Sequence, residues 1–164
     1  MTPAPPNADP PGVPKGVCVL GIGTDIVHIP DLAQQIGTVG SRFAEPGVVF
    51  TARELRRAES RATQKGDRLA DHLAAVWAIK EAALKAWVAA LEASGTPLPL
   101  PVDGVVWPEI VVSHTPSGVP SVHFTGTMAH TFTTTVRVSD PRWHVSASHD
   151  GNYALAFAVL GYAE

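Results

Sequence analysis

Residues 69–93 read LADHLAAVWAIKEAALKAWVAALEA. Within this stretch, large apolar side chains recur at spacings of three and four residues, so they share one broad face of an α-helix. These side chains are Leu69, Leu73, Val76, Trp77, Leu84, Trp87, Val88 and Leu91. The pattern predicts a long helix at the centre of the hydrophobic core.

Three charged residues interrupt this helix. Lys80 falls near the middle of the apolar stripe, while Glu81 and Lys85 lie one turn apart at its edge. A buried unpaired charge is costly, so this face should meet opposite charges, an ion or a water-filled cleft. The structural alternative is that Lys80 extends its ammonium group into solvent and that Glu81 and Lys85 form an ordinary exposed ion pair.

A strand with apolar residues on both faces is predicted from Val17 to Ile29. Asp25 lies near the end of this strand, where a buried carboxylate needs a partner. Alternatively, Asp25 accepts backbone amides or caps the next helix. A dinucleotide-binding turn is excluded, because Ile26 stands where the third glycine of G-x-G-x-x-G is required.

Asp25 and Glu81, with lysines nearby, suit a magnesium ion that also contacts phosphate. Magnesium takes one or two protein carboxylates and completes its octahedral coordination with water and substrate phosphates. Zinc is disfavoured, because the histidines and the single cysteine show no H-E-x-x-H or C-x-x-C spacing. We interpret six of the seven histidines as structural or surface residues: His28, His72, His114, His123, His130 and His144.

Two shorter helices are predicted between this strand and the long helix. Pro30 suits a first helical turn, which continues over Asp31 to Ile36. Thr51 and Glu54 have the spacing of a capping box and begin a helix that extends to about Arg61.

The remainder of the chain predicts antiparallel β-structure after a proline-rich connection at residues 96–108. One hairpin joins residues 110–112 to 121–125, and a second joins 143–148 to 153–160. Residues 131–138 are rich in β-branched side chains and favour a strand, with a helix from Met128 to Phe132 as the alternative.

A polar corner precedes the last predicted strand. Ser148 and His149 there can donate hydrogen bonds to an anionic ligand. The alternative is a polar hairpin turn without function. A Ser-His-Asp hydrolase is disfavoured, because three nearly adjacent residues do not usually achieve the geometry of a catalytic triad.

The composition limits the class of protein. A net charge of −3 with no basic run argues against a nucleic-acid partner. Cys18 is the only cysteine, which excludes a disulfide framework and favours a cytoplasmic protein. The sequence contains no apolar run of about 18 residues, so we do not expect it to span a membrane. We expect a disordered proline-rich leader at residues 1–16 and a single domain at 17–164.

Three motifs occur in a fixed order: GIGTDIV at 21–27, WAIKEAALKA at 77–86 and SASHD at 146–150. They resemble those of holo-[acyl-carrier-protein] synthases, in the form found in actinobacteria. The resemblance covers about residues 17 to 162. It implies an α+β fold, the 4′-phosphopantetheinyl transferase fold, with a long central helix packed on a small antiparallel sheet. It also implies a homotrimer with an active site between each pair of neighbouring subunits.

The same resemblance implies a reaction. Coenzyme A donates 4′-phosphopantetheine to a serine of apo acyl carrier protein, or of a carrier domain of a fatty-acid synthase, and adenosine 3′,5′-bisphosphate is released. Asp25 and Glu81 would hold Mg²⁺, with Glu81 the first candidate for general base and Asp25 the second. The substrate contacts would be Lys80 and Lys85 by the phosphates, and Ser148 and His149 at the nucleotide end.

The chain departs from this family pattern in places. Val76 stands where many relatives carry arginine, and Asp150 replaces the commoner glutamate. The helix after the first motif lacks the basic residues by which many relatives hold the acidic carrier. Candidates for that contact are Arg42 and Arg53, with Arg56 and Arg57 nearby; a carrier domain that docks differently is the alternative.

Two other functions remain open from the sequence. A magnesium-dependent phosphatase or pyrophosphatase would use the same carboxylates and lysines on a different ester. A non-catalytic coenzyme A-binding module would bind the ligand without turnover.

Overall fold

The computed structural model describes residues 16–101 and 103–163. The proline-rich leader predicted for residues 1–16 lies outside the described residues, except for Gly16. The helices and strands are, in chain order, β1 (Val17–His28), α1 (Ile29–Ile36), α2 (Ala52–Lys65), α3 (Leu69–Ser94), β2 (Ile110–His114), β3 (Pro120–Phe124), α4 (Gly126–Thr135), β4 (Pro141–Asp150) and β5 (Tyr153–Ala163). Among the described helices, none combines the length and apolar character that a membrane crossing requires.

The strands form two antiparallel sheets. The larger sheet has the order β1-β5-β4, and the smaller one pairs β2 with β3. In the larger sheet β1 pairs with β5 from Val17 opposite Ala163 to His28 opposite Tyr153. Both predicted hairpins are confirmed, and so is the α+β fold with a long helix on an antiparallel sheet.

Two glycines bring β1 unusually close to α3. A Cβ atom built on Gly23 would lie 2.0 Å from the carbonyl oxygen of Ala82, and one built on Gly21 would lie 2.1 Å from that of Ala86. Only a residue without a side chain fits at these two positions. The glycines of the first motif therefore set the distance between the strand and the central helix.

Lys80 lies in the core and is fully buried. Its Nζ atom is 2.9 Å from Glu54 Oε2 and donates to the carbonyl oxygens of Val49 at 2.8 Å and Trp107 at 3.0 Å. Burial lowers the pKa of Lys80, and the adjacent Glu54 opposes that shift. The ammonium group therefore neither extends into solvent nor reaches a substrate cleft, and the geometry does not support the predicted contact of Lys80 with phosphate.

Glu54 connects several elements around that ammonium group. The predicted capping box is present: the Thr51 hydroxyl accepts from Glu54 N, and Glu54 Oε2 accepts from Thr51 N. The second carboxylate oxygen accepts from Val112 N of β2 at 2.8 Å. The helix continues to Lys65, beyond the predicted end at about Arg61, and stops where Gly66 adopts a left-handed φ of 69°.

The strand predicted at residues 131–138 is wrong, since most of this segment belongs to α4. Thr131 and Thr135 each donate their hydroxyl to the carbonyl four residues back, which satisfies these polar groups within the helix. Met128 and Phe132, one turn apart, are buried on the same face. Packing of this pair therefore outweighs the β-propensity of the threonines.

One face of the larger sheet is apolar and exposed, although both faces of β1 were predicted to be buried. Ile22 and Ile26 of β1 are 52% and 62% exposed, and Leu155 and Phe157 of β5 are 48% and 46% exposed. Ile26 lies opposite Leu155 in the register, so the exposed side chains are neighbours. We call these four residues the outer apolar face.

Candidate active site

A cleft of about 430 Å³ opens where the end of β1, helix α1 and the middle of α3 meet. We call it the carboxylate cleft. The Phe43 and Trp77 rings form part of its wall. Its polar lining consists of Asp25, His28, Asp31, Gln35, Glu81 and Lys85.

Asp25 reaches this cleft because side chains alternate along β1. Gly21, Gly23 and Asp25 point toward α3, whereas Ile22 and Ile26 point to the outer apolar face. Asp25 Oδ1 lies 2.8 Å from Lys85 Nζ, which also donates to the Thr24 carbonyl at 3.2 Å. The partner of Lys85 is therefore Asp25, rather than Glu81 as the spacing along the helix had suggested.

Glu81 shares the cleft with Asp25, and its pKa is raised. Burial is the main cause, and the negative charge of Asp25 adds to it; the positive charges of Lys85 and Arg42 act in the opposite direction. A bound cation would relieve the effect of the second carboxylate on Glu81.

The donor set of this cleft suits magnesium. Within residues 16–101 and 103–163, no group of three or more His, Cys, Asp or Glu side chains is arranged to hold a metal. Zinc and calcium sites usually require more protein ligands than Asp25 and Glu81 provide. Magnesium is commonly held by one or two carboxylates, with water and phosphate oxygens completing its coordination.

Arg42 lies against the aromatic wall of the same cleft. Its guanidinium carbon is 4.8 Å from the centre of the Phe43 ring and 4.9 Å from that of Trp77. An arginine stacked on aromatic rings retains its N–H donors for an anionic partner. The predicted carrier contact at Arg42 therefore lies beside the carboxylate cleft.

A second cleft, of about 270 Å³, lies between α2 and the β2–β3 hairpin and is mainly basic. We call it the basic cleft. Glu54 also lines it, and its basic lining consists of Arg53, Arg57, Arg61, Lys65, His72, His114 and His149. Val76 also lines this cleft, together with three arginines of α2.

The two clefts lie on opposite sides of α3. Val76 and Ile79 face the basic cleft, whereas Trp77 and Glu81 face the carboxylate cleft. At about 100° per residue, these two pairs point in nearly opposite directions from the helix axis. His149 therefore does not join Asp25 and Glu81 within one chain.

His114, in the basic cleft, should make the stability of the protein depend on pH. Burial, followed by the charges of Arg57 and Arg61, lowers the pKa of His114 to about 4. Its Nδ1 atom is buried and has no hydrogen-bond partner among the described residues. An unfolded chain binds the proton near the ordinary pKa of about 6.5, so stability should be lost as pH falls from there toward 4.

We expect the free energy of unfolding of His114→Gln to depend less on pH as the pH falls from about 6.5 toward 4. Urea titrations at pH 7 and pH 5 measure this: the difference in unfolding free energy should be smaller in the variant than in the wild type. His123→Gln, an exposed histidine on the adjacent strand, is the control and should retain the wild-type difference. Equal differences in all three proteins would exclude His114 as the source.

The structure thus places the predicted site residues in several locations. Asp25, Glu81 and Lys85 meet in the carboxylate cleft, while Arg53 and His149 line the basic cleft. Ser148 is exposed on β4. The pair formed by His28 and Asp31 and the stripe of four cations on α2 were not predicted from the sequence. The spacing of four residues between these cations would have revealed the stripe: Arg53, Arg57, Arg61 and Lys65.

Comparisons with known proteins identify close relatives. A family model described as the 4′-phosphopantetheinyl transferase superfamily matches residues 21–158. The holo-[acyl-carrier-protein] synthase of Bifidobacterium animalis subsp. lactis is 39% identical over 150 residues, covering 89% of this chain and 100% of the relative. The same-named protein of Corynebacterium efficiens is 42% identical over 147 residues, covering 88% and 96%. The solved ACPS–CoA complex of Chronobacterium ammoniagenes aligns with a TM-score of 0.72 at 34% identity, covering 88% of this chain and 98% of that one.

Proposed function

The chain belongs to the 4′-phosphopantetheinyl transferase superfamily, and from this premise we propose that it transfers the 4′-phosphopantetheine arm of coenzyme A to a serine of apo acyl carrier protein. It is an enzyme of the holo-[acyl-carrier-protein] synthase type. The observation that carries the proposal is the meeting of Asp25, Glu81 and Lys85, from two distant motifs, in one cleft.

Asp25 and Glu81 are the proposed ligands of Mg²⁺. Bound there, the ion would neutralise charge on the diphosphate oxygens of coenzyme A. Lys85 is about half exposed and is held to Asp25 by an ion pair that contributes little to stability. Its ammonium group can therefore move from Asp25 to a phosphate oxygen when the substrate binds.

The carrier serine itself is the nucleophile, so the chain needs no covalent intermediate. Its hydroxyl oxygen attacks the β-phosphorus of coenzyme A in line with the departing adenosine 3′,5′-bisphosphate. Positive charge around the transferred phosphoryl group provides most of the stabilisation in such reactions. The sequence predicted Glu81, and after it Asp25, as the base that accepts the hydroxyl proton, but a carboxylate that holds Mg²⁺ is a weak base.

The nucleotide end of coenzyme A requires separate contacts, for which we propose Ser148 and His149. Because α3 separates the two clefts of one chain, a second copy would bring its basic cleft beside the carboxylate cleft of the first. The outer apolar face supports such an assembly, since contiguous exposed apolar residues mark association surfaces. A homotrimer is the proposed form, and light scattering after gel filtration measures its mass.

The proposed carrier is a free acyl carrier protein or a carrier domain of a fatty-acid synthase, and the proposed process is fatty-acid biosynthesis in the cytoplasm. Helix α1 has no basic residue in its last turn and carries Asp31 in its first. Arg42 and Arg53 are therefore the proposed contacts for acidic groups of the carrier.

Mass spectrometry of the carrier tests the reaction. Incubation with coenzyme A, magnesium and apo carrier should add one phosphopantetheine to the carrier mass and release adenosine 3′,5′-bisphosphate. Release of inorganic phosphate without that gain would instead indicate a phosphatase or pyrophosphatase. Coenzyme A binding that survives chelation, with no product, would indicate a binding module.

Glu81→Gln tests the carboxylate cleft. Removal of one charged ligand should lower the transfer rate by about 10- to 100-fold and raise the magnesium concentration required. Glu92→Gln, an exposed glutamate on the same helix, is the matched control and should stay within about twofold of the wild type. Wild-type transfer by Glu81→Gln at the same magnesium dependence would remove Glu81 from the site.

A further inference from the structure

A histidine–aspartate pair lies in the carboxylate cleft beside the proposed metal ligands. His28 ends β1 and precedes α1, and its Nδ1 atom is 3.0 Å from Asp31 Oδ2. Its ring centre is 5.2 Å from that of Tyr153, with the ring planes tilted by 46°. Contacts on two sides therefore hold the imidazole at the cleft wall.

The Asp31 contact decides which nitrogen of His28 carries the proton in the neutral ring. An ionised carboxylate can only accept, so Nδ1 carries hydrogen and Nε2 presents its lone pair. Nε2 forms no hydrogen bond within the part of the chain that the structure describes. The side chain is 37% exposed, so a bound partner can reach this nitrogen.

Neither proposed metal ligand is well suited to remove a proton from the carrier. A carboxylate bound to a divalent cation is a weak base, and Asp25 is additionally held by Lys85. An imidazole oriented through Nδ1 by a carboxylate is the recurring arrangement of general bases that activate hydroxyl nucleophiles. His28 provides that arrangement in the same cleft.

We propose that His28 is the general base of the transfer reaction and that Asp31 is its positioning residue. This inference rests on the proposed function. As the serine oxygen bonds to the β-phosphorus, its proton moves to His28 Nε2. The bond from that phosphorus to the bridging oxygen breaks, and its electron pair leaves with adenosine 3′,5′-bisphosphate. His28 afterwards releases the proton to water.

Only a neutral imidazole accepts a proton, so the dependence of kcat on pH should differ between the wild type and a variant without His28. The His28 ring contacts Asp31 of α1 and Tyr153 of β5. The same cleft also holds Asp25 of β1 and Glu81 and Lys85 of α3.

His28→Asn is the test variant, because asparagine is a favoured residue before a helix and preserves the start of α1. We expect kcat to fall about 100-fold, with the KM for coenzyme A changed by less than about twofold. Added imidazole should restore part of the rate. Asp31→Asn should cause a smaller loss, and His123→Gln, remote on β3, should behave as the wild type.

Binding gives a readout independent of turnover. In ¹H–¹⁵N spectra without coenzyme A, the His28 ring signals should shift when apo carrier protein is added and should not shift with a carrier whose acceptor serine is alanine.

If the wild type loads no carrier, the proposed function fails. If the wild type loads carrier and His28→Asn matches its kcat at every pH, the role of His28 alone is overturned. A loss of kcat in His28→Asn with the pH dependence of the wild type and no imidazole rescue would also overturn it, because His28 would then be structural only.

Discussion

Gly23→Ala should leave little folded protein under physiological conditions. The added methyl carbon would lie 2.0 Å from Ala82 O and 2.6 Å from Ala86 N, both of which are backbone atoms of α3. Overpacking typically costs about 1–3 kcal/mol where side chains can yield. Here only a displacement of β1 from the helix relieves the clash, so the cost should exceed that range. A domain of this size has about 5–15 kcal/mol of total stability.

Gly37→Ala is the matched control for that substitution. Gly37 ends α1 with a φ of −81°, and a Cβ atom built there lies 3.6 Å from its nearest neighbours. Alanine is therefore tolerated, and the thermal unfolding midpoint should stay close to that of the wild type. The yield of soluble protein and circular dichroism melting measure both variants. Equal melting of Gly23→Ala and the wild type would contradict the tight packing of β1 on α3.

The second large effect is expected for Lys80→Met. The substitution removes an ammonium group that contacts Glu54 and two carbonyl oxygens, and it leaves a buried carboxylate without its counter-ion. Removal of one partner of a buried ion pair costs about 3–5 kcal/mol. Urea titration followed by tryptophan fluorescence should show this loss as an earlier unfolding midpoint.

A double-mutant cycle separates the ion pair from packing. Glu54→Gln added to Lys80→Met removes the stranded charge, although its single amide oxygen can accept from only one of the backbone N–H groups of Thr51 and Val112. The second substitution should therefore recover only part of the lost stability. Lys65→Met, at the exposed end of α2, is the control and should change stability by less than about 0.5 kcal/mol. Additive effects of the Lys80 and Glu54 substitutions would mean that the two charges do not interact.

The central helix was predictable because its signal is local. The spacing of its apolar residues defines one face. The helix ends at Ser94, one residue after the predicted boundary, where Gly95 adopts a left-handed φ of 67°. The two hairpins were predictable for the same reason, since turn residues lie between alternating strands. Such patterns depend only on residues close together in sequence.

The environment of Lys80 was only half predictable. Its place on the apolar stripe correctly indicated that the charge needed a partner, but no periodicity connects it with Glu54, which lies 26 positions earlier. The capping box explained Glu54 by a local role, although the same carboxylate also serves Lys80 and β2. A side chain with two roles is not evident from local rules.

The carboxylate cleft was partly predictable. The motifs indicated that Asp25 and Glu81 would meet, because each carboxylate lacked an adequate local reason. His28 was interpreted as a structural or surface residue, because the histidines show no metal-ligand spacing. Only the fold places that pair beside the other carboxylates. Likewise, the separation of the two clefts follows from the packing around α3, which the sequence pattern does not encode.

The pairing of β1 with β5 has a consequence for synthesis on the ribosome. Val17 pairs with Ala163, so the first strand of the larger sheet leaves the exit tunnel long before its partner is translated. Until then, α3 can contact β1, but the backbone N–H and C=O groups of β1 that later pair with β5 are unpaired. A chaperone or another chain can bind to them, and binding of other chains leads to aggregation. Contacts between residues so distant in the chain also slow folding. Closure of the sheet should therefore be a late event that waits for the translation of β5.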